Sequence, residues 1–128
     1  MKQQSGFTLI ELVVVIVLLG ILGAAATAKF QDLSAEARAA AVQGLAAEMQ
    51  SGSAINYAKN AVGTTSTGIA VASCADGESV LTTPLPGTNY TITSVSGTCT
   101  NDGDSLTCNL EDSRGSENVD FSLICSSS

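Results

Sequence analysis

A stretch of seventeen residues without a charge, Leu12 to Ala28, constrains this chain more than any other feature. Counted from Phe7, twenty-two residues precede Lys29, and Glu11 is the only charged residue among them. As a helix this length spans about 33 Å at roughly 1.5 Å per residue, which is enough to cross the hydrocarbon core of a bilayer. The sequence therefore predicts a helix that needs lipid or other chains around it.

Two ordinary interpretations of this segment leave Glu11 unexplained. A secretory signal has a basic start, a shorter apolar stretch and a small-residue cleavage site, for which Ala24-Ala25-Ala26 is a candidate. A plain membrane anchor is the second interpretation. Because an unpaired ionisable group costs several kcal/mol in hydrocarbon, a carboxylate one turn inside the apolar run indicates a function.

The composition disfavours several classes of function. The 128 residues include no His and no Trp, so His-based catalysis and His metal sites are absent. With Lys+Arg 5 and Asp+Glu 12 the formal charge is −7, and no segment supplies the basic surface that nucleic acid requires. No catalytic Ser–base pair, metal triad or phosphate-binding loop stands out. We therefore expect a non-enzymatic protein without a cofactor that does not bind nucleic acid.

The region after the apolar run continues as a helix in this interpretation. There is no Pro from Phe7 to about Asn60, and Ala is frequent. We expect a membrane or core segment over 7–30 and an amphipathic continuation over 31–60. An apolar stripe at spacings of three and four predicts the face that meets a core or a partner; it comprises Phe30, Leu33, Ala37, Ala41, Leu45, Met49 and Gly52.

Residues 61–128 have a different pattern, and we call them the head. Turn-forming residues dominate 61–89. Three β segments follow, of which the second and third alternate apolar and polar residues, as in a half-buried antiparallel sheet. Their turns are predicted at Asn101–Asp104 and Ser113–Ser116. The expected fold class is α+β, a long N-terminal helix whose second half packs on a C-terminal antiparallel sheet.

At its start the chain is similar to a known family. Gly6-Phe7-Thr8-Leu9-Ile10-Glu11, followed by Leu12-Val13-Val14-Val15-Ile16-Val17, resembles the class III signal of type IV pilins and pseudopilins. The resemblance implies that a prepilin peptidase removes the leader 1–6 by cutting after Gly6, that Phe7 is then N-methylated, and that the apolar helix is retained. It also implies the pilin fold.

The same resemblance implies a role for Glu11 and a set of partners. The carboxylate of one subunit meets the terminal amine of a neighbour during assembly, and opposite charges attract strongly in a low dielectric. Subunits wait in the inner membrane as single-pass precursors, and an assembly platform and an ATPase add them to a helical homo-oligomer. The expected function is a surface pilus for attachment, with motility less certain. The alternatives are a pseudopilin of type II secretion and a monomeric membrane-anchored binding module.

A second similarity concerns the segment from Ala28 to Ala46, which resembles the mannose-sensitive haemagglutinin branch of the type IVa pilins. Many relatives have a proline at the position of Ala28, and this chain does not. A break in the helix would therefore rest on Gly20 and Gly23, which also suit close packing between helices.

Four cysteines, Cys74, Cys99, Cys108 and Cys125, all lie in the head. On the exported side an even number favours two disulfides over a zinc site, whose ligands usually come in close pairs. The sequence leaves three connectivities open. Because two of these cysteines share the apolar face of strands expected to pair, we favour Cys108–Cys125 with Cys74–Cys99.

Acidic side chains cluster at two places in the head, Asp102 with Asp104 and Glu111 with Asp112. Calcium binds such carboxylates, but acidic residues in turns are more often solvated. We expect solvated carboxylates and no metal. Further along the helix, Lys29 and Asp32 have the spacing of a helical ion pair, and they belong with Glu36 and Arg38 to a charged belt expected to be solvated.

Overall fold

The computed structural model describes residues 6–63 and 68–127. It has one long helix, one 3₁₀ turn and a three-stranded antiparallel sheet, so the predicted α+β class is confirmed. Residues 1–5 of the predicted leader, and 64–67 of the turn-rich region, lie outside the described residues. The elements are α1 (Leu9–Val62), the 3₁₀ turn (Cys74–Glu78), β1 (Tyr90–Ser96), β2 (Ser105–Asp112) and β3 (Asn118–Ile124).

Helix α1 contains 54 residues and ends two residues beyond the predicted end. Its interior contains no Pro and many residues of high helix propensity, so nothing in the sequence interrupts the backbone hydrogen bonds. The helix ends where the Gly63 N–H donates to the Lys59 carbonyl at 2.9 Å. One stretch of α1 is long and apolar enough to cross a membrane, judged by length and composition.

The chain divides into two compact units, Met1–Glu36 and Ala37–Ser128. In the described part of the first unit every residue is exposed or nearly so, including the whole apolar stretch. The predicted helical ion pair is present there, with 4.0 Å between Lys29 Nζ and Asp32 Oδ2. An isolated copy of this unit has no apolar interior of its own.

The second unit contains the sheet, with the strand order β1-β2-β3. Leu110 lies between Ile92 and Val119 on neighbouring strands, and Leu106 lies opposite Leu123. Buried and exposed residues alternate along β2 and β3, as predicted. The buried apolar core is Val42, Ala46, Met49, Val71, Cys74, Leu106, Cys108, Leu110, Phe121, Leu123 and Cys125.

The face of α1 that packs on the sheet differs from the predicted stripe. The buried helix residues are Val42, Ala46, Met49, Ser53 and Asn56. Of the predicted stripe, Met49 is buried and Leu45 packs partly against the core, whereas the four residues from Phe30 to Ala41 are exposed in the single chain. Gly52 is partly buried as well, so the last three residues of the stripe lie at the core as predicted. Alanine makes several faces of this helix apolar, and hydrophobic periodicity alone did not identify Val42 and Ala46 as buried.

Both predicted turns exist, one of them displaced. The Asp104 N–H donates to the Asn101 carbonyl at 3.1 Å, and Gly103 takes a φ of 92°, a conformation that side chains disfavour. The second turn is closed by the Gly115 N–H on the Asp112 carbonyl at 3.1 Å, one residue earlier than predicted.

Candidate functional site

The first candidate site is the start of α1, where the backbone is still non-helical at residues 6–8. Thr8 donates from its backbone N–H and from Oγ1 to Glu11 Oε2, at 3.3 Å and 3.2 Å. The Glu11 N–H in turn donates to Thr8 Oγ1 at 3.3 Å. This is a reciprocal capping box, in which two of the helix's otherwise unpaired N–H groups find acceptors.

The capping box places the Glu11 carboxylate at the positive end of the helix dipole, which favours a negative charge. Our sequence reasoning assigned Glu11 to a contact between subunits and missed this local role. The signal was present, since Thr8-x-x-Glu11 before an apolar run is the pattern of such a cap. Glu11 therefore has a structural role within one chain, whatever else it does.

Gly6 and Phe7 precede the helix and are exposed, Phe7 at 92%. A Cβ built on Gly6 would meet no atom within 4 Å, and Gly6 is not among the glycines with positive φ. The fold of the chain itself therefore gives no reason for a glycine at this position. A requirement for glycine here would have to come from a partner protein that binds this segment in close contact with its backbone.

Beyond the cap, large apolar side chains are exposed all around the helix. Exposed fractions range from 39% at Val13 to 81% at Leu9. Burying such side chains is worth about 1.5–3 kcal/mol each, so an uncovered surface of this kind drives insertion into lipid or association. Gly20 and Gly23 have open space where a Cβ would lie. Neither glycine is required by contacts within the chain.

The four cysteines form two disulfides, as predicted, but with a different connectivity. Cys74 is bonded to Cys108 and Cys99 to Cys125, with Cα–Cα distances of 5.7 Å and 5.6 Å. The favoured pairs Cys108–Cys125 and Cys74–Cys99 are wrong. Each bond instead joins a residue outside the sheet to a residue in β2 or just after β3.

The strand register explains the error. Cys108 lies opposite Phe121, whereas Cys125 follows Ile124, whose partner is Ser105. The two cysteines share a face but lie about 13 Å apart along the strands at roughly 3.4 Å per residue, and a disulfide requires Cα atoms within about 7 Å. Sharing a face is necessary for a Cys108–Cys125 bond but is not sufficient, and the strand register excludes that bond.

A charged cluster that sequence reasoning missed fixes the β2–β3 turn. Asp112 has no exposed surface, and its two carboxylate oxygens accept hydrogen bonds from Arg114 Nε at 2.9 Å and Nη2 at 2.7 Å. Arg114 Nη2 also donates to the Tyr90 hydroxyl at 3.0 Å. The hydrogen bonds from Arg114 outweigh burial and lower the pKa of Asp112 to about 2.

This cluster corrects the expectation for the second acidic pair. Glu111 is exposed as expected, whereas Asp112 is a buried partner of arginine. The signal was the spacing Asp112-x-Arg114 inside a turn, which allows a side chain to reach back two residues. Arg38 of α1, expected to be solvated, is half-buried instead, and its Nε lies 3.3 Å from Oε2 of Glu117, just before β3.

The end of the chain is tied to α1 by a buried amide. Asn56 Nδ2 donates to the Ile69 carbonyl at 2.7 Å and to Ser126 Oγ at 3.0 Å, and Asn56 Oδ1 accepts from the Ile69 N–H at 2.7 Å. A backbone bridge joins Val71 to Ser126. Because a buried amide is costly unless paired, these bonds select one placement of both segments.

The other acidic pair lies in the β1–β2 loop and bonds to protein donors. Asp104 Oδ2 accepts hydrogen bonds from the Thr100 hydroxyl at 2.8 Å and from the Asn101 and Thr100 N–H groups at 2.7 Å and 2.9 Å, and these bonds lower the pKa of Asp104. Asp102 accepts from the backbone and hydroxyl of Ser127. Within the described ranges, no three acidic or cysteine side chains are grouped as a metal site.

Comparison with known proteins supports the interpretation of the N-terminus. Residues 1–27 match the prokaryotic N-terminal methylation motif. Over 53 residues the chain is 49% identical to the type IV narrow pilus major component PilA5 of Thermus thermophilus, a match covering 41% of this chain and 46% of that relative. The chain thus aligns with less than half of the relative's length. No solved structure matches the chain.

The motif and the relative both support the type IV pilin family, and the fold described above is that of a pilin. The methylation motif ends before the second unit begins, so it characterises the start of α1 and leaves the head to be judged on its structure. Pilins are structural proteins, which agrees with the expectation of a non-enzymatic role.

Proposed function

We propose that this chain is a structural subunit of a type IV pilus, polymerising through the apolar half of α1 into a surface filament used for attachment. The observation that carries the proposal is that this apolar stretch has no buried residue and lies almost entirely within the matched methylation motif. A monomeric membrane anchor would also expose this stretch. The methylation motif and the similarity to a pilus component are the observations that favour a polymer.

The precursor is proposed to be cut by a prepilin peptidase after Gly6, which removes residues 1–6 and leaves Phe7 to be N-methylated. Two features support this site. The Gly6–Phe7 bond lies outside the helix and is exposed, so a protease can hold it in an extended form. The chain's own packing does not require glycine at Gly6, which is consistent with selection by a partner's binding site.

Glu11 is proposed to pair with the terminal amine of a neighbouring subunit. In the uncut chain its carboxylate is occupied by Thr8, an arrangement that satisfies the charge while the subunit waits in the membrane. A cationic amine is a stronger partner than a hydroxyl in a low dielectric, so a neighbour's Phe7 amine would displace the Thr8 contacts. The exchange would define the axial position of each added subunit.

Localisation and partners follow from the same proposal. The subunit is held in the bacterial inner membrane as a single-pass precursor, and a platform protein and an ATPase add it to a helical homo-oligomer on the cell surface. Within the family we propose the mannose-sensitive haemagglutinin type as the nearest branch. The rival is a pseudopilin of type II secretion, whose polymer stays in the periplasm.

Shearing cells that express the chain tests the proposal. We expect surface fibres whose subunits are 122 residues long and begin at N-methylated Phe7, as measured by intact mass and N-terminal fragmentation. Recovery of the processed chain in inner membranes alone, next to a secretion machine, would favour the pseudopilin. An unprocessed membrane protein without fibres would overturn both.

Substitutions at Glu11 separate its two roles. Glu11→Ala removes the cap and the charge, and we expect membrane insertion with filament yield reduced about tenfold or more. Glu11→Gln keeps a side chain that can complete the capping box but removes the charge, and we expect the same loss. Wild-type filament yield from Glu11→Gln would show that capping is sufficient and would reject the intersubunit pair.

A further inference from the structure

In this acidic chain, one basic side chain differs from the other described ones in its ion pairing. Three of the five basic residues form ion pairs in the described part of the chain: Lys29 with Asp32, Arg38 with Glu117, and Arg114 with Asp112. Lys2 lies outside the described residues. Lys59, in the last turns of α1, is exposed and has no salt bridge within the described ranges.

Lys59 is surrounded by apolar side chains on the same face of the helix. Ile55 lies four residues before Lys59 and Val62 three residues after it, which places both beside it on the helix surface. Ala58, the residue before Lys59, lines the same surface depression. Ile55 is 59% exposed and Val62 is 84% exposed. We call these four residues the Lys59 patch. A cation within an apolar surface is typical of a binding surface for something acidic that also offers apolar contact.

An acidic surface exists elsewhere in the same unit, on the face of the sheet turned away from the core. Glu111 and Asp120 are both exposed there. Because Glu111 pairs with Asn118 and Asn109 with Asp120, the two carboxylates are diagonal neighbours on adjacent strands. We call Glu111 and Asp120 the acidic sheet pair.

We infer that the Lys59 patch of one subunit docks on the acidic sheet pair of a second copy, an inference that rests on the proposed filament. The charges are complementary, and the contact would offset part of the repulsion between chains of net charge −7. The two surfaces differ and lie on different elements, so the contact is heterologous. Contacts of this kind repeat without closing and build helical filaments.

A charge exchange between the two surfaces tests the inference in cells that carry the full-length chain. We expect Lys59→Glu to lower the yield of sheared filaments about tenfold, because like charges then face each other, with unchanged amounts of membrane-held subunit. Glu111→Lys should lower the yield similarly. The double variant K59E/E111K should recover most of the wild-type yield.

A matched control variant has the same net charge as the double variant K59E/E111K but carries its new lysine at a different position. Glu78 is exposed on the 3₁₀ turn, away from the acidic sheet pair, so K59E/E78K has the charge of K59E/E111K and should not recover filaments. Equal rescue by both double variants would mean that overall charge alone matters, and would overturn the docking. Wild-type yield from Lys59→Glu would overturn it too.

The outcomes also separate this inference from the proposed function. If the wild-type chain forms methylated surface fibres and every charge variant does so equally, the docking is rejected and the pilus subunit stands. If the wild-type chain forms no fibres, the proposed function itself is rejected. Disulfide formation in each variant, measured by gel mobility before and after reduction, shows that the head has folded.

Discussion

The two halves of α1 have the same backbone and opposite surroundings. In the first unit the apolar side chains are exposed throughout, whereas in the second unit Val42, Ala46 and Met49 lie inside a core that the sheet completes. The helix is therefore continuous, but the interactions that stabilise it change along its length. The first half depends on lipid or neighbouring subunits, and the second on contacts within its own chain.

The largest expected effect tests this contrast with two truncations on one helix. Met49 is fully buried, so Met49→Ala should reduce the free energy of unfolding of the second unit by about 2–5 kcal/mol. Leu19 is 62% exposed, and Leu19→Ala should change the free energy of unfolding by less than about 0.5 kcal/mol. Urea titration in detergent, followed by tyrosine fluorescence, measures both because Tyr57 and Tyr90 lie in the second unit. Equal effects would contradict the contrast.

The disulfides are the next largest contribution to the second unit. Replacing Cys99 and Cys125 together by Ser should lower its stability by about 2–4 kcal/mol, since the open chain gains freedom on unfolding. Replacing Cys74 and Cys108 together should cost a similar amount. Peptide mapping of the unreduced protein checks the connectivity, and a Cys108–Cys125 peptide would contradict it.

Two glycines of α1 should respond to alanine with opposite signs. A Cβ on Gly52 would lie 2.6 Å from the Val80 carbonyl oxygen, so Gly52→Ala should destabilise the second unit by about 1–3 kcal/mol. A Cβ on Gly44 would meet nothing within 4 Å, and Gly44→Ala should stabilise the helix by about 0.5–1 kcal/mol. Thermal unfolding measures both changes. A stabilised Gly52→Ala would show that α1 and the Val80 segment are not in close contact.

The smallest expected effect concerns the stability of the second unit and appears only at acid pH. The pKa of Asp112 is lowered from 3.8 to about 2, so its contribution to the free energy of unfolding is present well above pH 3.8 and is lost progressively as the pH falls through 3.8 to about 2. Asp112→Asn should therefore flatten the fall in stability between pH 4 and pH 2. Glu78→Gln, at an exposed position, is the control. An unchanged slope in Asp112→Asn would mean that other carboxylates, such as Asp104, account for the acid sensitivity.

How much the sequence predicted depends on the range of the interaction involved. The helix and the strands were predicted because they rest on local patterns: the absence of Pro from α1, and the alternation along β2 and β3. The turn at Asn101–Asp104 was predicted from its Asp and Gly residues in the same way.

Features that depend on strand register or helix rotation could not be read from local patterns. The disulfide pairs required knowing that Cys108 lies opposite Phe121. The rotation of α1 is set partly by Ser53 and Asn56, which are buried because they bond to β3 and to distant segments. The roles proposed for Gly6, Phe7 and the Glu11 charge remain predictions, whereas the capping role of Glu11 was visible in the spacing of Thr8 and Glu11.

The placement of the two disulfides also has a mechanical consequence. When a chain is pulled, each region held only by non-covalent contacts can unravel and lengthen by up to about 3.5 Å per residue. The Cys74–Cys108 bond encloses a sequence separation of 34 residues and so withholds about 120 Å of that extension. The Cys99–Cys125 bond overlaps it and carries the restraint to the end of β3. Load applied to the sheet must therefore pass across covalent links rather than be relieved by lengthening, which makes residues 74–125 of the second unit a short, nearly inextensible element under tension.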